Sequence, residues 1–395
     1  MKKKGLLALA LALALCIATL AGCSGGGTAA TPTPTAAAPQ TIKIGCLAPL
    51  TGNVAVYGIA ARNGAKLYID EVNAAGGING KQIEFIEYDE KGDATEAVNA
   101  YNKLVDDGVT AIIGDVTSKP TIAVAQISVE DNMPMISGTA TAADVTSYGN
   151  NMFRSCFLDP FQGTTMAKFA QEKLGATKVA VIYNTGDDYS KGLAESFTST
   201  ATELGMTVVA SEGYATGDVD FTAQLTNITT QKPDVLLCPD YYNTVVLIAQ
   251  QAKSVGLTAT LLGCDGWDGV LTVTGNDASA VEGAYFCNHY STADTSELVQ
   301  NFLKNYEAAY GETANAFAAT TYDAAKILLA GIQAAEDAGL TAGTAEYKQA
   351  VIDAMDKTDM DCVTGHITFD ENNNPIKSCA IIKIVNGAYS YEGQF

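Results

Sequence analysis

Two short stretches set small hydroxyl side chains and glycine at the ends of apolar runs. GDVTSKP, residues 114–120, follows VTAIIG and precedes the helix-like TIAVAQISVEDN; ISGTATA, residues 136–142, follows MPM in the same way. At such a junction the free amides of a helix N-terminus and the neighbouring hydroxyls face outward, with the positive end of the helix dipole behind them. Ser118 and Thr141 in that setting suit a small anion such as a carboxylate. Plain N-caps are the competing reading, because Ser and Thr favour that position in any helix. Other strand ends carry different chemistry: Tyr189, Tyr241, Tyr242, Asp265 and Trp267 supply aromatic walls and one carboxylate. Asp265 in CDGWDG also reads as a turn carboxylate, and Tyr242 faces either ligand or solvent. The two sets together suit a zwitterion, its carboxylate on the hydroxyls and its ammonium against Asp265. Each charged hydrogen bond contributes about 1.5–3 kcal/mol, so several across a closing cleft give micromolar or tighter binding.

The elements that must position these residues alternate. TIKIGCLAP reads as strand, YGIAARNGAKLYIDEVNAAGG as helix stopping at Gly76-Gly77, KQIEFIEYDE as strand, TEAVNAYNKLVDDG as helix, and TAIIG as strand. After MPMIS the pattern restarts with FQGTTMAKFAQEKLG and runs through KVAVIYN, TVVASEGY, DVLLCPD and TATLLGCDG as strands with helices between. Continuous apolar strands separated by helices mean parallel sheets covered on both faces. Residue 41 onward exceeds what one core usually supports, so the fold class expected is α/β, two doubly wound Rossmann-like lobes. In open α/β sheets, ligands bind beyond the carboxyl ends of the strands, which is where the residues above fall. Three long helices and an antiparallel finish with Asn/Pro and Asn-Gly turns close the chain.

The first residues carry three lysines and then an apolar run ending in Leu20-Ala21-Gly22-Cys23, the layout of a secretory signal. An uncleaved anchor is the alternative. The Leu-Ala-Gly-Cys ending resembles a bacterial lipoprotein box, which makes residues 1–22 a signal peptide and Cys23 the lipid attachment site. SGGGTAATPTPTAAAPQ behind it reads as a flexible tether to residue 40. The expected location is extracytoplasmic, lipid-anchored to the cell membrane. The chain holds 23 Lys and Arg against 44 Asp and Glu, net −21, so its bulk field does not suit nucleic acid. Of nine cysteines, seven lie beyond Cys23, an odd number with no CxxC, so at least one is free. Two histidines without Cys/His clustering give no metal site, and no cofactor is expected. DENNNP, residues 370–375, lacks the Gly and bidentate Glu of a calcium loop and reads as a turn. The Asn227-Ile-Thr match to a glycosylation acceptor is formal only.

IGCLAPLTGNVAVYGIAARNGAKLYIDEVNAAGGINGKQIEFIEYD resembles the opening of the amino-acid ABC-transporter binding proteins of the leucine/isoleucine/valine type. ATKVAVIYNTGDDYSKGLAESF, DFTAQLTNI and AFAATTYDAAKIL resemble the same family, so the likeness runs from residue 41 to about 390. It implies a type I periplasmic binding protein: two lobes joined by a three-segment hinge that close on a ligand. Lobe one would hold 41–158 plus 289–364, and lobe two 159–288 plus 365–395. The resemblance gives Ser118 and Thr141 the ligand carboxylate, Asp265 and Thr141 the ammonium, and Thr139 and Ala140 backbone contacts. Tyr57, Tyr189, Tyr241 and Phe317 become pocket wall; Trp267 is assigned there from its closeness to Asp265. Two departures stand out. Cysteines that some relatives place near Gly92 and Thr117, where they can pair, are absent, and Asp265 stands where Glu is common. The implied function is capture of a small amino acid, branched-chain or otherwise apolar, for an ABC importer, by a monomer without catalysis that hands it to the permease. A sensor of the same fold is the alternative. A hydrolase lacks GxSxG and HExxH, and both histidines are expected outside the cleft.

Overall fold

The structure is a computed structural model that describes residues 41–275 and 277–395. The signal peptide, Cys23 and the tether to residue 40 lie outside the described residues. The first half alternates strand and helix: β1 (Ile42–Ala48), α1 (Ala55–Ala74), β2 (Ile83–Asp89), α2 (Ala94–Asp106), β3 (Ala111–Ile113), α3 (Ser118–Ser128), β4 (Met135–Ser137) and β5 (Met152–Arg154). These strands form one parallel sheet in the order β2-β1-β3-β4-β5. β3 and β4 are buried at every residue, as strands covered on both faces must be. β5 escapes the sequence pattern because its Met-Phe-Arg is not a continuous apolar run and ends in a charge.

The pattern restarts with α4 (Asp159–Glu172), β6 (Lys178–Asn184), α5 (Asp188–Glu203), β7 (Thr207–Tyr214), α6 (Thr222–Gln231), β8 (Val235–Leu237), α7 (Tyr242–Ser254), β9 (Thr260–Gly263), α8 (Val270–Val273) and β10 (Tyr285–Asn288). The chain then returns to the first lobe as α9 (Glu297–Tyr310), α10 (Ala316–Asp337), α11 (Ala345–Met355) and the hairpin β11 (Asp359–Cys362) and β12 (Gly365–Thr368). β13 (Ala380–Val385) and β14 (Ala388–Gln394) finish the second sheet, ordered β14-β13-β10-β9-β8-β6-β7, with β13 and β14 antiparallel. Among the described residues no helix is long and apolar enough to cross a membrane.

The chain passes between the lobes after β5, after β10 and before β13. The third passage departs from the boundary expected at Gly365. β12 pairs with β11, and Ile367 is buried in the core that holds Ile42, Ile113 and Leu328. Phe369 packs edge-on against Phe153, and Asn373 donates to the carbonyls of Asn150 and Met152. Residues 365–375 therefore stay with lobe one. Lys377 marks the crossing, its ammonium bonded to the Ser155 carbonyl and the Thr364 hydroxyl. The boundary that the resemblance implies at Gly365 cuts through the β11–β12 pairing, which keeps that strand in lobe one.

Candidate functional site

A small cavity lies between the lobes. Lobe one lines it with Val116, Thr117, Ser118, Thr139, Thr141 and Phe317, and lobe two with Tyr189, Tyr241, Asp265 and Gly266. Every one of these sits at a strand end or helix start, so the two parallel sheets aim their carboxyl ends at the same space. A larger groove of ≈ 1350 Å³ lies nearby, lined by Val56, Asp268, Tyr290, Ala316, Tyr389 and others. It contains none of the cradle residues. The smaller cavity gathers the hydroxyls, helix-start residues and carboxylate that a zwitterion needs, so we take it as the candidate site.

The hydroxyls are not simple caps. Thr117 is the N-cap of α3 and makes no side-chain cap bond; Ser118 is the first helical residue. The Ser118 hydroxyl instead accepts the Ala142 amide at 3.2 Å, joining the two turns of the cradle. Pro120 has no N–H, so only Ser118 and Lys119 supply free amides in the first turn. Ser137 organises the second turn. Its hydroxyl donates to the Asp115 carbonyl at 2.6 Å and accepts the amides of Thr139 and Ala140 at 3.2 and 2.9 Å. The Ala140 carbonyl accepts from Arg154 at 3.1 Å. Both backbone groups of Ala140 are thus used inside lobe one, and Ala140 lies outside the cavity lining. Thr139 and Thr141 line it.

Asp265 is buried and oriented from both oxygens. Oδ1 accepts the Tyr189 hydroxyl at 2.8 Å and the Gly266 amide at 3.0 Å. Oδ2 lies 3.1 Å from His289 Nε2. His289 was expected outside the cleft and is the main residue that sequence reasoning missed here. It follows β10 by one residue, so the strand-end rule covers it once β10 is recognised. Burial holds the His289 imidazole below its ordinary range, and the ring stacks on Phe157 with centroids 3.7 Å apart. Tyr189 stacks flat on Tyr241, centroids 5.1 Å apart. The Tyr241 hydroxyl is buried with no protein partner, so it offers a hydrogen bond into the cavity.

Trp267 does not belong to the wall. It is fully buried in lobe two, where its Nε1 donates to the Cys238 carbonyl at 2.8 Å and its ring stacks on Phe286. Its partner in sequence is Gly263: a Cβ there would lie 2.3 Å from the indole. The 3-10 turn Asp265–Trp267 sends Asp265 toward the cavity and Trp267 the opposite way, which spacing alone did not reveal.

Tyr57 is one layer behind the wall and acts between the lobes. It stands on α1, and its hydroxyl donates to the Gly266 carbonyl and accepts the Tyr242 amide at 3.0 Å. Tyr242, for which sequence left two orientations open, is buried and donates to the Asn53 carbonyl at 2.7 Å. Lys119 reaches the Gly186 carbonyl at 3.1 Å, and Asp268 accepts the Ala316 amide at 2.8 Å. These bonds exist only with the lobes together. Tyr57→Phe removes one donor and one acceptor from the closed form alone. It is expected to weaken ligand binding about thirtyfold, the worth of two neutral hydrogen bonds of about 1 kcal/mol each, while leaving the melting temperature of the ligand-free protein unchanged. Calorimetric titration beside thermal denaturation checks both.

The seven cysteines from Cys46 to Cys379 are all buried free thiols, so they behave as small apolar side chains.

The family model for periplasmic binding proteins matches residues 41–388. The chain is 34% identical to a Leu/Ile/Val-binding protein of Rhizobium johnstonii over 85% of its own length and 89% of that protein. It is 30% identical to a leucine-, isoleucine-, valine-, threonine- and alanine-binding protein of Pseudomonas aeruginosa, over 85% of this chain and 88% of that one. Among solved structures it is similar to a branched-chain amino acid transporter substrate-binding protein of Streptococcus pneumoniae in complex with isoleucine. There the TM-score is 0.82 at 34% identity, covering 90% of this chain and 99% of that chain.

Proposed function

The chain belongs to the periplasmic binding protein family, and from that premise we propose that it captures a small apolar amino acid between its lobes for an ABC importer. The observation that carries this reading is the division of charge in the cavity: hydroxyls and helix amides around Ser118 and Thr141 on one lobe, Asp265 on the other. An α-amino acid presents a carboxylate and an ammonium on one carbon, so it bridges the lobes and favours closure. Closure then follows from contacts made only in the closed form, the Tyr57 and Tyr242 bonds among them. Phe317, Val116 and the Tyr189–Tyr241 pair are assigned to the ligand side chain, and the Thr139 carbonyl is the backbone group proposed to meet the ammonium.

In this reading the protein performs no chemistry. It acts outside the cytoplasm as a monomer, held to the membrane by lipid on Cys23 after removal of residues 1–22, and passes the amino acid to the permease. Binding of amino acids by the relatives supports the cargo class. Calorimetric titration of refolded protein with the twenty amino acids tests it. Tight binding of an aliphatic amino acid, lost when its carboxylate is amidated, is the expected result. Binding of none of them would overturn the reading.

A further inference from the structure

Behind the cradle lie two buried carboxyls that the binding reading leaves without a task. Glu90 follows β2 and Asp115 follows β3, and both are fully excluded from solvent. Each has one oxygen tied to backbone amides: Glu90 Oε2 accepts Gly92 and Asp93 at 2.8 and 3.1 Å, and Asp115 Oδ1 accepts Val116 at 2.6 Å. The remaining oxygens, Glu90 Oε1 and Asp115 Oδ2, have no N–H or O–H donor from elsewhere in the protein, and the carboxyls approach closely enough to share a proton. Two carboxylates in such contact cannot both ionise cheaply.

Asp115 is wired to both halves of the cradle. Its carboxylate holds the amide of Val116, which lines the ligand cavity beside Ser118. Its carbonyl holds Ser137, which fixes Thr139 and Ala140. A second small cavity of ≈ 200 Å³ lies against Asp115, Arg62 and Thr321 and shares Val116 and Thr139 with the ligand cavity. The other ionisable groups facing the pair are Cys46 on β1, Arg62 on α1 paired to Glu87 on β2 at 3.1 Å, and Asp93 at the head of α2.

We propose that the Glu90–Asp115 pair is a proton-binding site linked to the cradle, so that the protein takes up a proton as a ligand carboxylate seats on Ser118 and Thr141. This rests on the amino-acid reading above. Burial raises both carboxyls, Asp115 to about 7 and Glu90, which the neighbouring Asp115 raises further, to about 10; the hydrogen bond from Glu90 itself lowers Asp115. The pair therefore titrates as a unit, one proton held across the neutral range and a second exchanged within it. A negative charge seated beside Ser118 and Val116, whose amide Asp115 holds, raises Asp115 again, which favours the protonated form. The sign follows: affinity strengthens as pH falls through the neutral range. A one-unit rise from 7 gives uptake of about 0.4 proton at pH 7 and about fivefold tighter binding at pH 6 than at pH 8.

The test is calorimetric titration of the full-length protein with L-leucine at pH 7 in buffers of different ionisation enthalpy, which counts protons directly. Two other buried carboxyls, Asp240 in lobe two and Asp159 beside Thr141, are also raised by burial, so the comparison must be made between variants. Glu90→Gln keeps the acceptor for Gly92 and Asp93 and gives Asp115 a permanent donor. It is expected to abolish the uptake and the pH 6 to pH 8 difference. Infrared difference spectra of the unmodified protein should gain a protonated-carboxyl band on leucine addition, a readout that survives a variant that fails to fold. Leucine binding without uptake and without that band overturns the proposal and leaves the amino-acid site standing. Failure of leucine and the other amino acids to bind overturns both.

Discussion

Asp265→Asn is expected to weaken amino-acid binding by roughly 10- to 150-fold, the range of about 1.5–3 kcal/mol for a hydrogen bond to a charged group. The substitution keeps the shape of the side chain and an oxygen for the Tyr189 hydroxyl and the Gly266 amide, which Asp265 Oδ1 now accepts at 2.8 and 3.0 Å. What it removes is the negative charge facing the ligand ammonium in a site shielded from water, where charge interactions are strongest. The amide nitrogen then meets His289 Nε2, which lies 3.1 Å from Asp265 Oδ2. A tautomer shift of the neutral ring, whose Nδ1 is buried without a partner, accommodates that donor. Folding should therefore survive, and calorimetry beside circular dichroism separates the two effects. An affinity within twofold of the wild type would remove Asp265 from the site.

Gly64→Ala is expected to lower folding stability by about 2 kcal/mol, an unusual outcome for a glycine inside a helix. Alanine ordinarily stabilises such a position by about 1 kcal/mol. At Gly64 the added Cβ would lie 2.0 Å from the Ala318 carbonyl oxygen, where α1 crosses α10. A backbone atom cannot rotate aside, and overpacking of this kind costs about 1–3 kcal/mol or slightly more. The clash outweighs the propensity gain. Gly192→Ala on α5 is the control: its Cβ would meet only Asp159, at 3.7 Å, so it should be neutral or stabilising. Urea denaturation of the three proteins reads the difference. Equal stability of Gly64→Ala and Gly192→Ala would contradict the close α1–α10 contact. The same shift of α1 would carry Tyr57 away from Gly266, so leucine affinity should fall with stability.

The sequence is a good guide wherever strands are continuous and apolar. TAIIG and DVLLC could be read as buried parallel strands because both faces of each are covered. From that reading the strand-end rule alone leads to Ser118, Thr141, Tyr189, Tyr241 and Asp265, which the fold brings to one cavity. Periodicity is silent on three matters. It does not register β5, where Met-Phe-Arg ends in a charge. It cannot tell which way a turn aims consecutive side chains, so Trp267, two residues from Asp265, was placed at the wall and lies in the core. It also does not locate the passages between lobes; the resemblance puts the third at Gly365, and the structure has it beside Lys377. His289 and the Glu90–Asp115 pair were missed for a further reason. Their roles depend on contacts with residues far along the chain, and each stands in sequence as an isolated polar residue.

A crystal structure of the protein grown with L-leucine tests the central claim most directly. The account predicts one leucine in the cavity between the lobes, its carboxylate within hydrogen-bond distance of Ser118 and Thr141 and its ammonium on Asp265, with Tyr57 bonded across to Gly266. Leucine bound in the groove beside Tyr290 and Tyr389, or in the cavity with its ammonium turned away from Asp265, would contradict it.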